Sequence, residues 1–332
     1  MSVEELPLRA GRGPRVAIMT DEVGWHTRQL QRALRERGAQ GLCADLADCR
    51  IDTSAAWHGL VLPGWGRTLP DAVLVRGIAG GSFEQVTKRL GVLHALRELG
   101  VPVYNDARAI ERSVDKGMTS LLLHAAGLPT PATWALEDVD AAQRLVQREA
   151  DARRTLVLKP LFGSQGQGLQ KVGWVDGMAV PLPELKSPYN RLAYLQRFVP
   201  PVVAAGEPGF DWRVLVVGGR AVAAMRRVSA HWVHNMAQGA KGQPQSLTEG
   251  DGPALAQLAV AAATALRMDY AGVDIIPGPQ GAHQILEVNG VAAWQGLQRA
   301  TKVDVAALLV ADLLQRKLAV AMQGRARQPR RA

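Results

Sequence analysis

Lys159 closes the apolar run LVLKP, and four residues later the chain enters the glycine-rich stretch GSQGQG, Gly163–Gly168. Both sit between segments that read as strands, Thr155–Lys159 and Leu169–Val175. Gly163, Ser164, Gln165, Gly166 and Gly168 offer backbone N–H groups with little side chain in the way, which is how phosphates are gripped. The stretch is neither a Walker A loop nor a strand-to-helix dinucleotide fingerprint. A lysine in such a strand must reach a partner or solvent, because burying an unpaired ammonium is costly. Beside the loop it suits a phosphate; taken singly, the two features equally describe a hairpin loop and a snorkelling lysine. Asp274 lies in AGVDII, and Glu287 and Asn289 lie in ILEVNG. Strand alternation puts Glu287 and Asn289 on one face. Pairing through the turn around Gly278–His283 would bring Asp274 beside them. That oxygen cluster suits Mg²⁺ or Mn²⁺ bridging nucleotide phosphates. Solvent-facing polar residues ending in an Asn-Gly turn are the plain alternative, and the three features together favour the nucleotide.

Basic residues complete the set: Lys116, Arg213, Arg226, Arg227 and Lys241. Lys116 follows Asp115 in the first turn of a helix, a poor place for a cation, which a bound phosphate or plain solvent exposure would explain. The histidines form no metal-ligand pattern; His231 and His234 are three apart with no partner carboxylate nearby. No serine or cysteine stands in a nucleophile context.

The elements that must hold these residues alternate in the first hundred positions. Strands fit Arg15–Thr20, His58–Leu62, Ala72–Arg76 and Val101–Tyr104, with helices at Trp25–Arg37 and Phe83–Leu99. Phe83, Val86, Leu90 and Leu93 make the apolar stripe of the second helix. Such alternation implies a parallel sheet. A helix over Ser113–Ala126 follows, with Ser113 as its cap. The remainder is mixed: strands at Ala193–Val199, Asp211–Val217, Ala221–Val228, Tyr270–Ile276 and Gln284–Asn289, and helices at Pro253–Arg267 and Asp304–Lys317. The fold class is therefore α/β followed by α+β.

The 332 residues carry a formal charge of +9, are 47% hydrophobic and 21% charged. This composition excludes a mainly disordered chain. Apolar runs are too short for a membrane helix, so no membrane partner is expected. With no apolar leader and two cysteines off CxxC spacing, a reduced, cytoplasmic setting is expected. Aromatics at 5% argue against a base-stacking nucleic-acid module. Four arginines in the tail RARQPRR account for part of the charge, leaving 9 − 4 = +5 on the body. That excess fits anionic small molecules.

The order of these features resembles the ATP-grasp fold, and most closely the RimK-like amino-acid ligases, over Arg112–Val310. The carrying segments are ERSVDKGMTSLLLHAAGLPTP, YLQRFV, DWRVLVVGGRAVAA, AGVDII, LEVN and TKVDVA. The N-terminal part resembles the pre-ATP-grasp domain. The division expected is 1–111 pre-ATP-grasp, 112–192 small subdomain, 193–320 large subdomain and 321–332 basic tail. The resemblance implies that Lys116 and Lys159 contact ATP phosphates beneath the loop Gly163–Gly168. Gln196, Arg197, Phe198 and Val199 form the strand whose backbone reads adenine, and Asp211 lies on the ribose side. Asn235 faces phosphates and metal, and Asp274, Glu287 and Asn289 hold the divalent ions. The chain departs from its relatives at Val233 and Gln238, where arginines are common. Arg213 and Lys241 are the catalytic candidates, with Arg226 or Arg227 as further substitutes for the missing cations.

The reaction implied is ATP-dependent joining of a carboxylate, as its acyl phosphate, to an amino acid, glutamate in this branch. GWHTRQL and ARAIERSVDKGMTSLLL are similar to RimK-like proteins of one-carbon metabolism, which implies a tetrahydromethanopterin-type acceptor. Glutamate addition to a ribosomal protein C-terminus and an inactive ATP-binding protein are the alternatives. A homo-oligomer is compatible with the sequence.

Overall fold

The structure, a computed structural model, describes residues 13–163, 166–201, 203, 207–278 and 282–327. Ser164 and Gln165 of the glycine-rich stretch, and the tail beyond Arg327, lie outside the described residues. The chain forms two compact units. One runs through Ile110 and adds Ala293–Gln295 and the chain from Asp304 onward; the other comprises Glu111–Ala292 and Gly296–Val303. Among the described residues no helix is long and apolar enough to cross a membrane.

The first unit contains β1 (Arg15–Met19), α1 (Trp25–Glu36), β2 (Gln40–Ala44), β3 (Arg50–Ile51), β4 (Leu60–Val61), β5 (Ala72–Val75), α2 (Phe83–Glu98) and β6 (Val103–Tyr104). Four strands form a parallel sheet in the order β2-β1-β5-β6. Val16–Met19 and Ala72–Val75 are fully buried, as central parallel strands require. Helix α1 buries Thr27, Leu30, Ala33 and Leu34, the spacing of one helical face. Helix α2 departs from the expected stripe: Phe83 is exposed, and the buried side chains are Arg89, Val92, Leu93 and Leu96. The cause is Arg89, whose guanidinium turns inward to the carbonyls of Ala79 and Gly80 at 2.6 and 2.9 Å.

The second unit begins at Glu111, within α3 (Ala107–Val114), and continues with α4 (Lys116–Ala125). Ser113 does not cap this helix. It ends within α3, and Asp115 is the cap, accepting from the Met118 N–H at 2.9 Å. A carboxylate there satisfies a free N–H and complements the helix dipole. There follow β7 (Thr133–Leu136), α5 (Val139–Asp151), β8 (Thr155–Lys159), β9 (Gln170–Val175), β10 (Met178–Val180) and β11 (Ala193–Arg197). These strands form one antiparallel sheet, β10-β9-β8-β11-β7. Next come β12 (Gly209–Val217), β13 (Arg220–Ser229), β14 (Lys241–Gln245), α6 (Gly252–Ala265), β15 (Tyr270–Pro277), β16 (His283–Asn289) and α7 (Gln295–Thr301), with a second antiparallel sheet, β14-β13-β12-β15-β16. Gly218 and Gly219 join β12 to β13 with φ of 56° and 76°, the left-handed pair a two-residue hairpin demands.

Two expected boundaries move. Residue 193 does not open the large subdomain, because β11 is hydrogen-bonded between β8 and β7. The chain from Asp304, expected in the C-terminal body, clusters with the first unit as α8 (Val305–Asp312), a π-helical turn (Leu313–Leu318) and α9 (Ala319–Arg327). The expected basic tail from 321 therefore begins as helix. Asp304 explains the docking locally: it caps α8 through the Ala307 N–H at 3.0 Å and pairs with Arg32 of α1 at 2.6 Å.

Asp304→Ala should lower the urea midpoint by the equivalent of about 1 kcal/mol, a typical cap loss. Asp304→Ser keeps the cap and should recover most of it, because an exposed ion pair contributes little. Equal losses in the two variants would place the stabilisation in the ion pair.

Candidate active site

Each sheet of the second unit has one apolar and one polar face. In the first sheet, Leu156, Leu158, Val172 and Leu195 pack with Ala142, Leu145 and Val146 of α5. Alternation then turns Lys159, Lys171 and Gln196 to the opposite face. In the second sheet, α6 packs against β12, β13, β15 and β16. Arg213 pairs with Asp274, Asp274 with Glu287, Asp211 with Arg227 and Gly272 with Asn289, so these residues share one face. The expectation that β15 and β16 pair and set Asp274 beside Glu287 is met in register.

Lys159 donates to Gln196 Oε1 at 2.6 Å. Burial pushes its ammonium down to about 8, against the pull of Glu287 and with the push of Lys116. Lys116 donates to the Gly163 carbonyl at 2.7 Å and stands 4.0 Å from Glu287 Oε1. The lysine pair, the glycine stretch and Glu287 are thus brought together as the sequence suggested.

Asp274 is held differently from expectation. Arg213 Nη2 donates to it at 2.8 Å and Arg213 Nε makes a second bond, while Arg227 Nη2 lies 3.1 Å away. Burial opposes ionisation of Asp274, but these two guanidinium groups outweigh it and hold the carboxyl below its usual range. Asp211, expected on the ribose side, is instead buried in a bidentate pair with Arg227 at 2.7 and 2.5 Å. Its burial pushes the carboxyl up to about 6 despite Arg227. His234, also buried, is pushed down to about 4 by burial and by Arg227, so it stays neutral.

Of the substitute cations, Arg227 joins this carboxylate network. Arg226 stacks over Phe210 at 3.6 Å, and Lys241 is exposed on the edge strand opposite Val228. Asn235 precedes a 3₁₀ turn, Met236–Gln238, and accepts the Gln238 N–H at 2.9 Å. Among the described residues no group of three His, Cys, Asp or Glu could hold a metal ion. Glu287 and Asn289 still fit a divalent cation. They share a face, Glu287 keeps a carboxylate beside Lys116 only at 4.0 Å, and Asn289 uses its amide N–H on the Gly272 carbonyl at 3.3 Å, which turns Oδ1 elsewhere. Asp274 Oδ1 accepts only from Arg213 Nε, while Oδ2 carries the other two arginine contacts, so Oδ1 keeps a lone pair that can add to them.

The strand expected to read adenine is fixed from behind. Arg197 turns to the α5 side, where Nη2 meets the buried Glu149 at 2.8 Å. Its N–H and that of Phe198 are taken by the carbonyls of Ala132 and Thr155. Val199 is buried. Sequence reasoning missed Glu149; an acid on the apolar stripe Leu145, Val146, Ala150 was the available signal.

Residues 113–313 match the RimK-like ATP-grasp domain, and residues 15–110 match the RimK pre-ATP-grasp domain. The chain belongs to the RimK-like ATP-grasp family. It is an ATP-dependent ligase that forms carbon–nitrogen bonds. It is 30% identical over 324 residues to the tetrahydromethanopterin:alpha-L-glutamate ligase of Methanosarcina acetivorans, covering 87% of this chain and 94% of that protein. The enzyme of the same name from Methanocaldococcus jannaschii is 33% identical over 249 residues, 74% of this chain and 79% of that one. Among solved structures, the ATP-grasp ligase PsnB complexed with minimal precursor has a TM-score of 0.66 at 22% identity, covering 90% of this chain and 98% of its own. D-alanine–D-alanine ligase from Bacillus anthracis complexed with ATP gives 0.64 at 15%, covering 94% and 100%. At these identities the structures support the fold of this ATP-grasp ligase.

The unfolded chain keeps its lysine proton up to about pH 10.5, whereas the folded site releases that of Lys159 near 8. The buried ammonium therefore destabilises the fold below pH 8, and the penalty fades as pH rises towards 10.5. Lys159→Met should raise stability at pH 7 by on the order of 1–2 kcal/mol. Thermal unfolding across this range should show the gain shrinking above pH 8. A gain independent of pH would contradict the assignment.

Proposed function

We propose that this ligase joins the α-amine of L-glutamate to a carboxylate of a tetrahydromethanopterin-type acceptor, converting ATP to ADP and phosphate. The observation that carries the substrate assignment is the similarity to the Methanosarcina acetivorans enzyme through both units, 94% of that protein's length. The acceptor carboxylate attacks the γ-phosphorus of ATP, the bond to ADP breaks, and an acyl phosphate forms. The glutamate amine then attacks the acyl carbon, phosphate leaves, and the amine gives up a proton. A carboxylate is a poor electrophile, and phosphate supplies the leaving group it lacks. The protein positions the reactants and neutralises the transferring charge.

In this reading Lys116 and Lys159 bind the phosphates beneath Gly163, Ser164, Gln165, Gly166 and Gly168. The nucleobase meets the strand at Gln196–Val199, where the carbonyl of Arg197 and the N–H of Val199 remain for its edge. Asn235 faces the phosphates. Glu287 and Asn289, with Asp274, would hold Mg²⁺ or Mn²⁺, which would screen the phosphate charge. Arg213 stabilises the acyl phosphate, and Arg227 keeps Arg213 and Asp274 in register through their shared carboxylate. Lys241, exposed at the sheet edge, is left with at most an outer role towards an anionic substrate.

The test is ADP release with L-glutamate and tetrahydromethanopterin, followed by mass measurement of the product, with a ribosomal C-terminal peptide as the competing acceptor. A pterin product heavier by one glutamyl residue is expected. Peptide-only turnover, or nucleotide binding with no acid-dependent ADP release, overturns the proposal. Glu287→Gln should reduce turnover by about a hundredfold or more with the fold intact by circular dichroism, and Asp274→Asn should reduce turnover as far while also lowering the thermal midpoint, since it strips two arginines of a buried partner. Retained activity in both would remove these residues from the metal site.

A further inference from the structure

We infer that Glu149 is a positioning residue for the nucleobase: through Arg197 it fixes the backbone of Gln196–Val199, whose edge tells adenine from guanine. The inference rests on the reading that places the base at this segment. Glu149 lies on α5, on the face of the first sheet opposite Lys159, and is 2% exposed. Its carboxylate accepts from Arg197 Nη2 at 2.8 Å, across 48 positions of the chain. Arg148 and Arg154 stand farther from it, at 3.5 and 3.7 Å, and both are more than half exposed, so they add little. Arg197 also lies over the Trp134 ring, 5.7 Å from its centroid. Trp134 opposes Leu195, two residues before Arg197, so indole, guanidinium and carboxylate share the α5 face.

The two central residues of the segment both lead back to Glu149. Arg197 reaches its carboxylate directly. The Phe198 N–H donates to the Thr155 carbonyl at 2.9 Å, and the N–H of Arg154, next to Thr155, donates to the Glu149 carbonyl at 2.8 Å. With the Arg197 N–H on the Ala132 carbonyl at 2.8 Å, both N–H groups are spent behind the strand. A held Arg197 side chain then limits rotation of the peptide that carries the Arg197 carbonyl. That carbonyl and the Val199 N–H make an acceptor–donor pair. Adenine offers the matching donor in its 6-amino group and the matching acceptor in N1, whereas guanine sets an acceptor and a donor in those places. Stability alone does not call for an acid on the apolar stripe of α5, because a buried ion pair can often be exchanged for apolar packing without loss. Orientation does call for it: a charge-assisted bond is directional and holds one rotamer of Arg197, which an apolar contact would not.

Glu149→Leu and Glu149→Gln test the inference in the full chain. Calorimetric titration without acceptor gives the affinities for Mg·ATP, Mg·GTP and Mg·tripolyphosphate, the last carrying phosphates and no base. The parent should prefer ATP to GTP by at least about tenfold. Glu149→Leu should bind ATP about tenfold more weakly, the worth of one hydrogen bond. GTP and tripolyphosphate should bind as to the parent, so the preference for ATP is lost. Glu149→Gln keeps an oxygen for Arg197 and should fall between. In turnover the loss should appear in KM for ATP, with kcat kept at saturating nucleotide. A general loss of fold would weaken tripolyphosphate as well, which separates orientation from stability. Should Glu149→Leu not fold, the same ratios are read in Glu149→Gln. An unchanged preference for ATP in a folded variant, or equal weakening of ATP and tripolyphosphate, overturns the inference and leaves the placement of the base standing. A parent that binds ATP and GTP alike overturns that placement, and the inference with it.

Discussion

Arg227 stands between two buried carboxylates and binds both, Asp211 at 2.5 and 2.7 Å and Asp274 at 3.1 Å, while Arg213 binds Asp274 from the neighbouring strand. Taking four charges out of water is expensive, and the attraction among them recovers that cost only with good geometry. Here the two arginines and two aspartates balance, so the cluster adds no net charge to the interior. Removing any one member would leave an uncompensated charge, typically at 3–5 kcal/mol or about that order. The cluster therefore fixes the relative register of β12, β13 and β15, and with it the place of Glu287 and Asn289 on β16.

Above this balanced layer the charges do not cancel. Lys116 stands 4.0 Å from Glu287, and burial lowers the Lys159 ammonium to about 8 against the pull of Glu287 and of the arginine-bound Asp274. A site with surplus positive charge, lowered dielectric and an N–H-rich loop is poised for an anion with several negative charges. Nucleotide triphosphate meets that description, and its binding would restore to Lys159 the partners that water supplied in the unfolded chain. The same logic explains the division of labour between the sheets. One offers Lys159 and a backbone edge, the other offers Asp274, Glu287 and Asn289, and α5 and α6 pack against them.

Strand β11 shows how support is arranged at a distance. Gln196 holds Lys159 on the site face, and the next residue, Arg197, turns to the other face and pairs with Glu149 of α5. Strand alternation makes both possible at once. An acid at 2% exposure in an otherwise apolar helix stripe is tolerated because that arginine reaches it.

Much of the site was legible in the sequence because its signals are local. Alternation placed Glu287 with Asn289, glycines marked the phosphate loop and the Gly218-Gly219 turn, and motif order pointed to ATP-grasp chemistry. What remained hidden depends on contacts between distant positions. The inward turn of Arg89, the transfer of β11 to the first sheet, the return of Asp304–Arg327 to the N-terminal unit and the capture of Asp274 by two arginines follow from no local period. Spacing along a chain determines which side chains share a face. Which partner a buried charge finds is decided only when separate strands come into register, because the cost of leaving it unpaired is felt only in the folded interior.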